Sequence, residues 1–312
     1  MNKHMLFLRV LVAVNIAVLS GLGYWAYRMG TAEPVVEKHS KDYPLIDPSR
    51  SFISQKDFLV NLQPLREKLA PIYKEFGEKN ISLYIEFMNS GANISYNPDA
   101  RMYPASLIKM PVAIAAAKKV EIGQWRWDSE LVLMERDIDD RFGDLAKEPI
   151  GTRLSIERLL ELLLVESDNT AFNILLRNLG RGSIEQYLTD TGLMELFDAN
   201  QNVTAREYTR IFRSLYTSSY LTREHSQKIL TLLDSTEYTY LARPIGDKVP
   251  FPHKFGTNLE LNVFADAGIL YVKDRPIIMT VFYKGEANDP AERVDEFFSR
   301  VATVTYEYFS KP

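Results

Sequence analysis

From about Pro104 to Tyr216 the chain reads as helix, and strand-like alternation appears only on either side of that block. Upstream, Leu65, Leu69, Ile72 and Phe76 share one helical face, and residues 81–87 alternate as a half-buried strand does. A second strand follows near 93–96. Downstream, strands are predicted over 249–258, 263–272 and 276–283. A closing helix is predicted from Asp289, with Asp as N-cap, Pro290 at N1 and Glu292 completing a capping box. Its Val294, Phe297, Phe298, Val301 and Val304 face one way. Strands separated by so long a helical insert have to meet around it. The order therefore predicts an α+β fold, an antiparallel sheet flanked by the terminal helices with an all-α lobe inserted between its strands. A cleft between the lobes is the natural place for a site. Within the block, Leu159, Leu160, Leu162, Leu163 and Leu164 mark one strongly apolar helix. Ser183 with Gln186 reads as a capping box, and Gly180 and Gly182 read as C-cap residues.

The side-chain inventory removes several chemistries. The 312 residues include no cysteine, which excludes disulfides, thiolate-bound zinc, iron–sulfur clusters and a cysteine nucleophile. The four histidines, His4, His39, His225 and His253, include no pair at helical ligand spacing, so neither a histidine metal site nor a Ser-His-Asp triad is indicated. Net charge is −4 with no Lys/Arg-rich block, which argues against a nucleic-acid partner. No glycine loop suited to cradling phosphate is present.

Residues 5–27, MLFLRVLVAVNIAVLSGLGYWAY, are long and apolar enough to cross a hydrocarbon core of about 30 Å as a helix. Lys3 and Arg9 lie on the N-terminal side, and Tyr24, Trp25 and Tyr27 form an aromatic belt at the other. The positive-inside rule makes residues 1–29 a single-pass anchor in the cell membrane with a cytoplasmic N-terminus. A cleaved signal peptide, with Gly30 and Ala32 as the small residues near the cut, is the other reading and would release a secreted domain. Residues 30–56 read as an extracytoplasmic spacer and 57–312 as the folded domain.

Three short motifs carry chemistry. In Ser106-Leu-Ile-Lys109 the hydroxyl and the amine lie on one helical face. A serine hydroxyl needs a nearby base, and a desolvated lysine beside a second cation can be one. The open N–H groups of a helix start would also let Ser106 N–H stabilise an oxyanion. The spacing arises about once by chance in a chain of this length, so alone it also fits an exposed serine and a solvated lysine. Ser167-Asp168-Asn169 is rarer. It reads as an N-cap cluster, as a proton relay through Ser167 with a substrate-amide contact from Asn169, or as both. In Lys254-Phe-Gly256-Thr257, Lys254 would bring positive charge that lowers the pKa of Lys109. Gly256 would allow close backbone approach, and Thr257 N–H would be a second oxyanion donor. Alone, this segment also fits a surface lysine beside an edge-strand glycine.

Together, S-x-x-K at a helix start, S-D-N between helices and K-x-G on a late strand resemble the penicillin-recognising serine enzymes, above all class A β-lactamases. The resemblance extends over residues 57–312 and includes Asp266-Ala-Gly268 and the closing helix. It implies Ser106 as the acylated nucleophile, Lys109 as its base, and Ser167 with Lys254 assisting loss of the leaving nitrogen. It also implies Asn169, Gly256 and Thr257 as substrate-binding residues. No metal or organic cofactor is implied. Implied partners are a small β-lactam or D-Ala-type peptide and, through the N-terminal helix, the membrane. Two departures stand out. Residues 192–204 lack the family's E-x-x-L-N loop, leaving Glu195 as the candidate deacylation base, although 195–198 also fits a helix end and turn. Glu166 abuts Ser167 and does not belong to that loop. Phe255 stands where the family has a Thr or Ser whose hydroxyl helps bind a carboxylate, with Thr257 as a possible compensation. Three functions fit: a β-lactamase, a D,D-peptidase or esterase acting on cell-wall-type substrates, and a binding or sensor module without turnover.

Overall fold

The computed structural model describes residues 18–24, 44–46, 60–237, 239–286 and 289–311. The chain divides into two compact units, Met1–Pro44 and Leu45–Pro312. In the first, residues 18–24 are helical. The remainder of the predicted anchor over 1–29, and most of the spacer over 30–56, lie outside the described residues. Among the described residues no helix is long and apolar enough to cross a membrane.

The second unit holds a five-stranded antiparallel sheet built from β1 (Ile81–Phe87), β2 (Asn93–Tyr96), β5 (His253–Asn258), β6 (Val263–Leu270) and β7 (Ile277–Lys284). Its spatial order is β2-β1-β7-β6-β5, which leaves β5 on an edge. Helices α1 (Gln63–Phe76) and α8 (Ala291–Phe309) pack on each other beside the sheet. They share a core in which Phe76, Tyr283, Phe297 and the odd-numbered residues of β1 meet. Rings of Tyr283 and Phe297 stack at 4.7 Å, and each fully buried ring contributes roughly 1.5–3 kcal/mol.

All seven β1 residues are buried, where alternation predicts half. The even-numbered ones face α6 (Ala205–Tyr216) rather than water, except that the Ser82 hydroxyl donates to the Asn97 carbonyl at 2.9 Å. Glu86 pairs with Arg213 of α6, and on β7 the Thr280 hydroxyl bonds Thr209 at 2.8 Å. Polar residues facing a helix that answers them give the same alternation as residues facing solvent.

The helical insert is organised around α2 (Lys109–Glu121), whose residues 109–117 are all buried. Around it pack α3 (Ile156–Leu164), α4 (Asn169–Leu179), α5 (Arg181–Asp190) and α7 (Arg223–Asp234). The insert also contains a short hairpin, β3 (Glu130–Val132) with β4 (Arg153–Ser155), too brief for alternation to reveal. Several local expectations fail for definite reasons. Gly180, at φ +70°, both ends α4 and opens α5, so Ser183 lies inside α5 and bonds the Leu179 carbonyl instead of capping. Gly182 is likewise helical and caps nothing. The closing helix takes Pro290 as N-cap because the Asp289 carboxylate is engaged by Glu286 N–H and the Tyr283 hydroxyl. Strand β5 starts at His253 and not at 249, since Pro250 and Pro252 have no N–H to give a ladder.

After β3, Asp137 is buried and bidentate to Arg177 of α4, both bonds at 2.7 Å, and it also accepts from Met134 N–H. This pair anchors the start of loop 138–148 to α4. Arg177→Met, which strands a buried carboxylate, is expected to cost about 3 kcal/mol in urea unfolding; a loss below about 1 kcal/mol contradicts that role.

Candidate active site

Ser106 sits in a 3-10 turn, Ala105–Ile108, that runs directly into α2. Ala105 before it takes φ +47°, a left-handed conformation unusual outside glycine. The turn presents Ser106 Oγ to Lys109 Nζ at 3.2 Å. At the open start of the turn, Ser106 N–H donates to no other group among the described residues. Edge strand β5 crosses at this point. A Cβ on Gly256 would lie 2.9 Å from both Pro104 O and Ser106 N, so only glycine lets the strand pass. Gly256 thus brings backbone against the turn that carries Ser106, and Thr257 follows it on the same edge.

Lys109 is 2% exposed and fully engaged. Its amine lies 3.2 Å from the hydroxyls of both Ser106 and Ser167, donates to the Ser167 carbonyl, and donates to Asn169 Oδ1 at 2.7 Å. Burial pushes its pKa down to about 8, against the pull of the Asp168 and Asp139 carboxylates. Ser167 reaches Lys109 from a φ of +56°. Asp168 is the N-cap of α4, accepting from Ala171 N–H at 2.7 Å and from Leu145 N–H at 2.9 Å. Capping and site construction thus coincide in one tripeptide. Asn169 uses Oδ1 on Lys109 and one Nδ2 proton on Asp139, which leaves one amide proton for a substrate.

Lys254 is fully buried, and its Nζ has no hydrogen-bond partner among the described residues. Burial, then the charge of Lys109, holds its pKa well below the ordinary lysine value, while Asp266 pulls the other way. Burial is thus the largest cause at both lysines, and the charge of Lys109 is a further cause at Lys254. Behind Lys254, His253 Nδ1 and Asp266 Oδ1 form a buried pair at 2.8 Å.

The fold brings Ser106, Lys109, Ser167, Asn169, Lys254 and Gly256 to one place, with Thr257 next along the edge. Glu195 does not join them. It is exposed on the turn after α5, its carbonyl accepts from Arg101, and its carboxylate makes none of the bonds that hold the cluster. Asp198, in the same segment, spends its carboxylate on Asn200 and Asn202 N–H. Residues 195–198 form the turn that the sequence allowed as the alternative. Glu166 lies on the surface paired with Arg158 at 3.2 Å. The Thr257 hydroxyl is hydrogen-bonded to the Tyr240 hydroxyl at 2.6 Å.

Sequence reasoning missed the loop 138–148. Asp139 supports Asn169, and its carboxylate is held down to about 2 by Arg141. Phe142 lends its carbonyl to Asn169 N–H at 3.0 Å and its ring to an edge contact with Phe255. Only Gly143 hinted at the loop. At φ +88°, a Cβ there would strike Asp168 Oδ2 at 2.1 Å. No group of residues suited to a metal ion occurs among the described residues.

The Beta-lactamase2 model, described as the beta-lactamase enzyme family, matches residues 64–309, and the chain belongs to that family. The chain is 21% identical over 258 residues to beta-lactamase VEB-1 of Pseudomonas aeruginosa, covering 74% of this chain and 86% of that protein. Its fold is that of the β-lactamase/transpeptidase-like class. It superposes on the structure of PBP-A with a TM-score of 0.71 at 22% identity, covering 80% of this chain and 97% of the other. It superposes equally, at TM-score 0.71 and 22% identity, on a PBP-A point mutant solved as an acyl-enzyme with penicillin G, covering 81% and 100%. An ancestral class A β-lactamase gives 0.69 at 22% identity, covering 78% and 99%.

An amine buried without an acceptor opposes folding. Lys254→Met is therefore expected to stabilise the protein by about 1–3 kcal/mol, seen as a melting temperature higher by a few degrees, while slowing reaction at Ser106. An unchanged or lower melting temperature would show that the amine is better satisfied than its surroundings indicate.

Proposed function

We propose that this chain is an extracytoplasmic serine hydrolase that β-lactams acylate on Ser106 and that releases the acyl group slowly. The carrying observation is the Lys109 amine, desolvated and 3.2 Å from two hydroxyls, one on the nucleophile and one able to relay a proton. Its pKa near 8 leaves about one molecule in ten neutral at pH 7, enough to take the Ser106 proton as Oγ attacks the lactam carbonyl. Ser106 N–H and Thr257 N–H would hold the oxyanion. As the intermediate collapses, the carbonyl re-forms, the C–N bond breaks, and the departing nitrogen receives the proton from Lys109 through Ser167. The buried Lys254 amine supports this relay and the approach of an electron-rich group. The apolar stretch 5–27 supports a membrane tether that places the domain outside the cytoplasm.

Slow release follows from the carboxylates. Hydrolysis of the ester needs a base that activates water; Glu195 is exposed and makes none of the cluster's bonds, and the Asp198 carboxylate is held by Asn200 and Asn202 N–H. The same observation favours a second reading, a D,D-peptidase or esterase whose natural acyl donor leaves a less hindered ester.

Two measurements test the proposal on the full chain. With a chromogenic β-lactam, intact mass is expected to show a stoichiometric adduct absent in Ser106→Ala, with adduct forming at least tenfold faster than product turns over. Absence of any adduct and of any Ser106-dependent hydrolysis would refute it. The acylation rate is also expected to rise about tenfold per pH unit below 8 and to level off above, since only neutral Lys109 accepts a proton. A flat profile between pH 6 and 9 would remove Lys109 as the base.

A further inference from the structure

Phe255 follows Lys254 on edge strand β5, and its ring centroid lies 4.6 Å from the Lys254 amine. That ring meets Phe142 edge-on at 6.4 Å and Tyr240 edge-on at 6.1 Å. Phe142 belongs to the helical lobe and Phe255 to the sheet, so their contact crosses from one lobe to the other above the catalytic cluster. Phe142 is also firmly placed. Its carbonyl receives Asn169 N–H, and Gly143 after it is packed on Asp168. The motif that supports Lys109 therefore also fixes the backbone of this ring. Yet 46% of Phe142 remains exposed, an apolar face that none of the described residues covers.

Polar recognition on this side is correspondingly thin. Thr257 turns its hydroxyl to Tyr240, and the Lys254 amine is sealed behind the Phe255 ring with its charge disfavoured by burial. A carboxylate is held strongly by charge-assisted hydrogen bonds. Against two phenyl rings its lost hydration would go uncompensated, whereas an apolar or aromatic group gains buried area and ring contacts.

We propose that Phe142 and Phe255 form an aromatic wall that sets the specificity of the site, favouring acyl donors whose group on the β5 side is neutral and apolar over those carrying a carboxylate there. This rests on Ser106 being the acylated residue.

The test uses the full chain and a matched pair, one chromogenic cephalosporin as its free acid and as its methyl ester, with adduct formation followed by intact mass. The wild type is expected to be acylated at least tenfold faster by the ester. Phe255→Thr is expected to move the ester-to-acid ratio tenfold or more toward the acid. Phe142→Ala, at an exposed side chain, moves it the same way by about threefold with an unchanged melting temperature. If Phe255→Thr unfolds, Phe142→Ala decides alone. A wild-type ratio near one or favouring the acid, or a ratio unmoved in the folded variants while adduct still forms, overturns the wall and leaves the Ser106 reading intact. No adduct from either compound overturns both.

Discussion

The buried amine of Lys109 is the interaction on which the rest of this structure depends. A lysine that is 2% exposed opposes folding unless its donors are met, and here they are met by Ser106, Ser167 and Asn169. Ser106 comes from the turn that opens α2, while Ser167 and Asn169 come from the junction of α3 and α4. The amine is thus a pin between elements that are 58 and 60 residues away in sequence. Because burial also lowers its pKa to about 8, the feature that organises the helical lobe sets a partly neutral amine beside a hydroxyl. Packing and the lowered pKa have one cause.

Around this pin the backbone departs from its relaxed conformations. Ala105, which precedes Ser106, and Ser167 adopt positive φ, which costs about 1–3 kcal/mol apiece. Two glycines let chain segments close in, Gly256 against Ser106 and Gly143 against Asp168. Lys254 adds a buried amine without a polar partner among the described residues. Such strain persists only where the surroundings over-determine it. The aromatic core between α1, α8 and the sheet, together with the leucine-rich packing of α3 on α2, supplies that rigidity. Stability is concentrated away from the cleft and the strain within it.

What was legible in the sequence follows the same division. Long periodic elements and the S-x-x-K, S-D-N and K-x-G segments could be read because each is local, a face or a spacing of a few residues. The antiparallel sheet and the helical insert followed from the order of periods alone, whereas the spatial order of the strands did not. Contacts that belong to no single segment could not be read. The burial of Glu86 on β1 depends on Arg213 of α6, and that of Thr280 on β7 depends on Thr209, residues with no period in common with the strands. The loop 138–148 carries no motif, and its importance appears only when Asp139 and Phe142 are found bonded to Asn169. That burial is the largest cause of the low pKa at both Lys109 and Lys254 could not be read either, because burial is a property of the fold. Glu195 illustrates the remaining limit. A carboxylate at a plausible position in sequence turned outward because Leu193 and Leu196, on either side of it, take the buried positions.

The central claim is that the Lys109 amine is desolvated enough to be a base at neutral pH while bonded to Ser106. Its direct test is an NMR titration of the Lys109 side chain in protein labelled at the lysine ε-carbon and ζ-nitrogen, assigned by comparison with Lys109→Arg. The account requires a titration midpoint near 8 that moves on replacing Ser167 or Asn169. A midpoint at the ordinary lysine value of about 10.5, insensitive to those replacements, would contradict it.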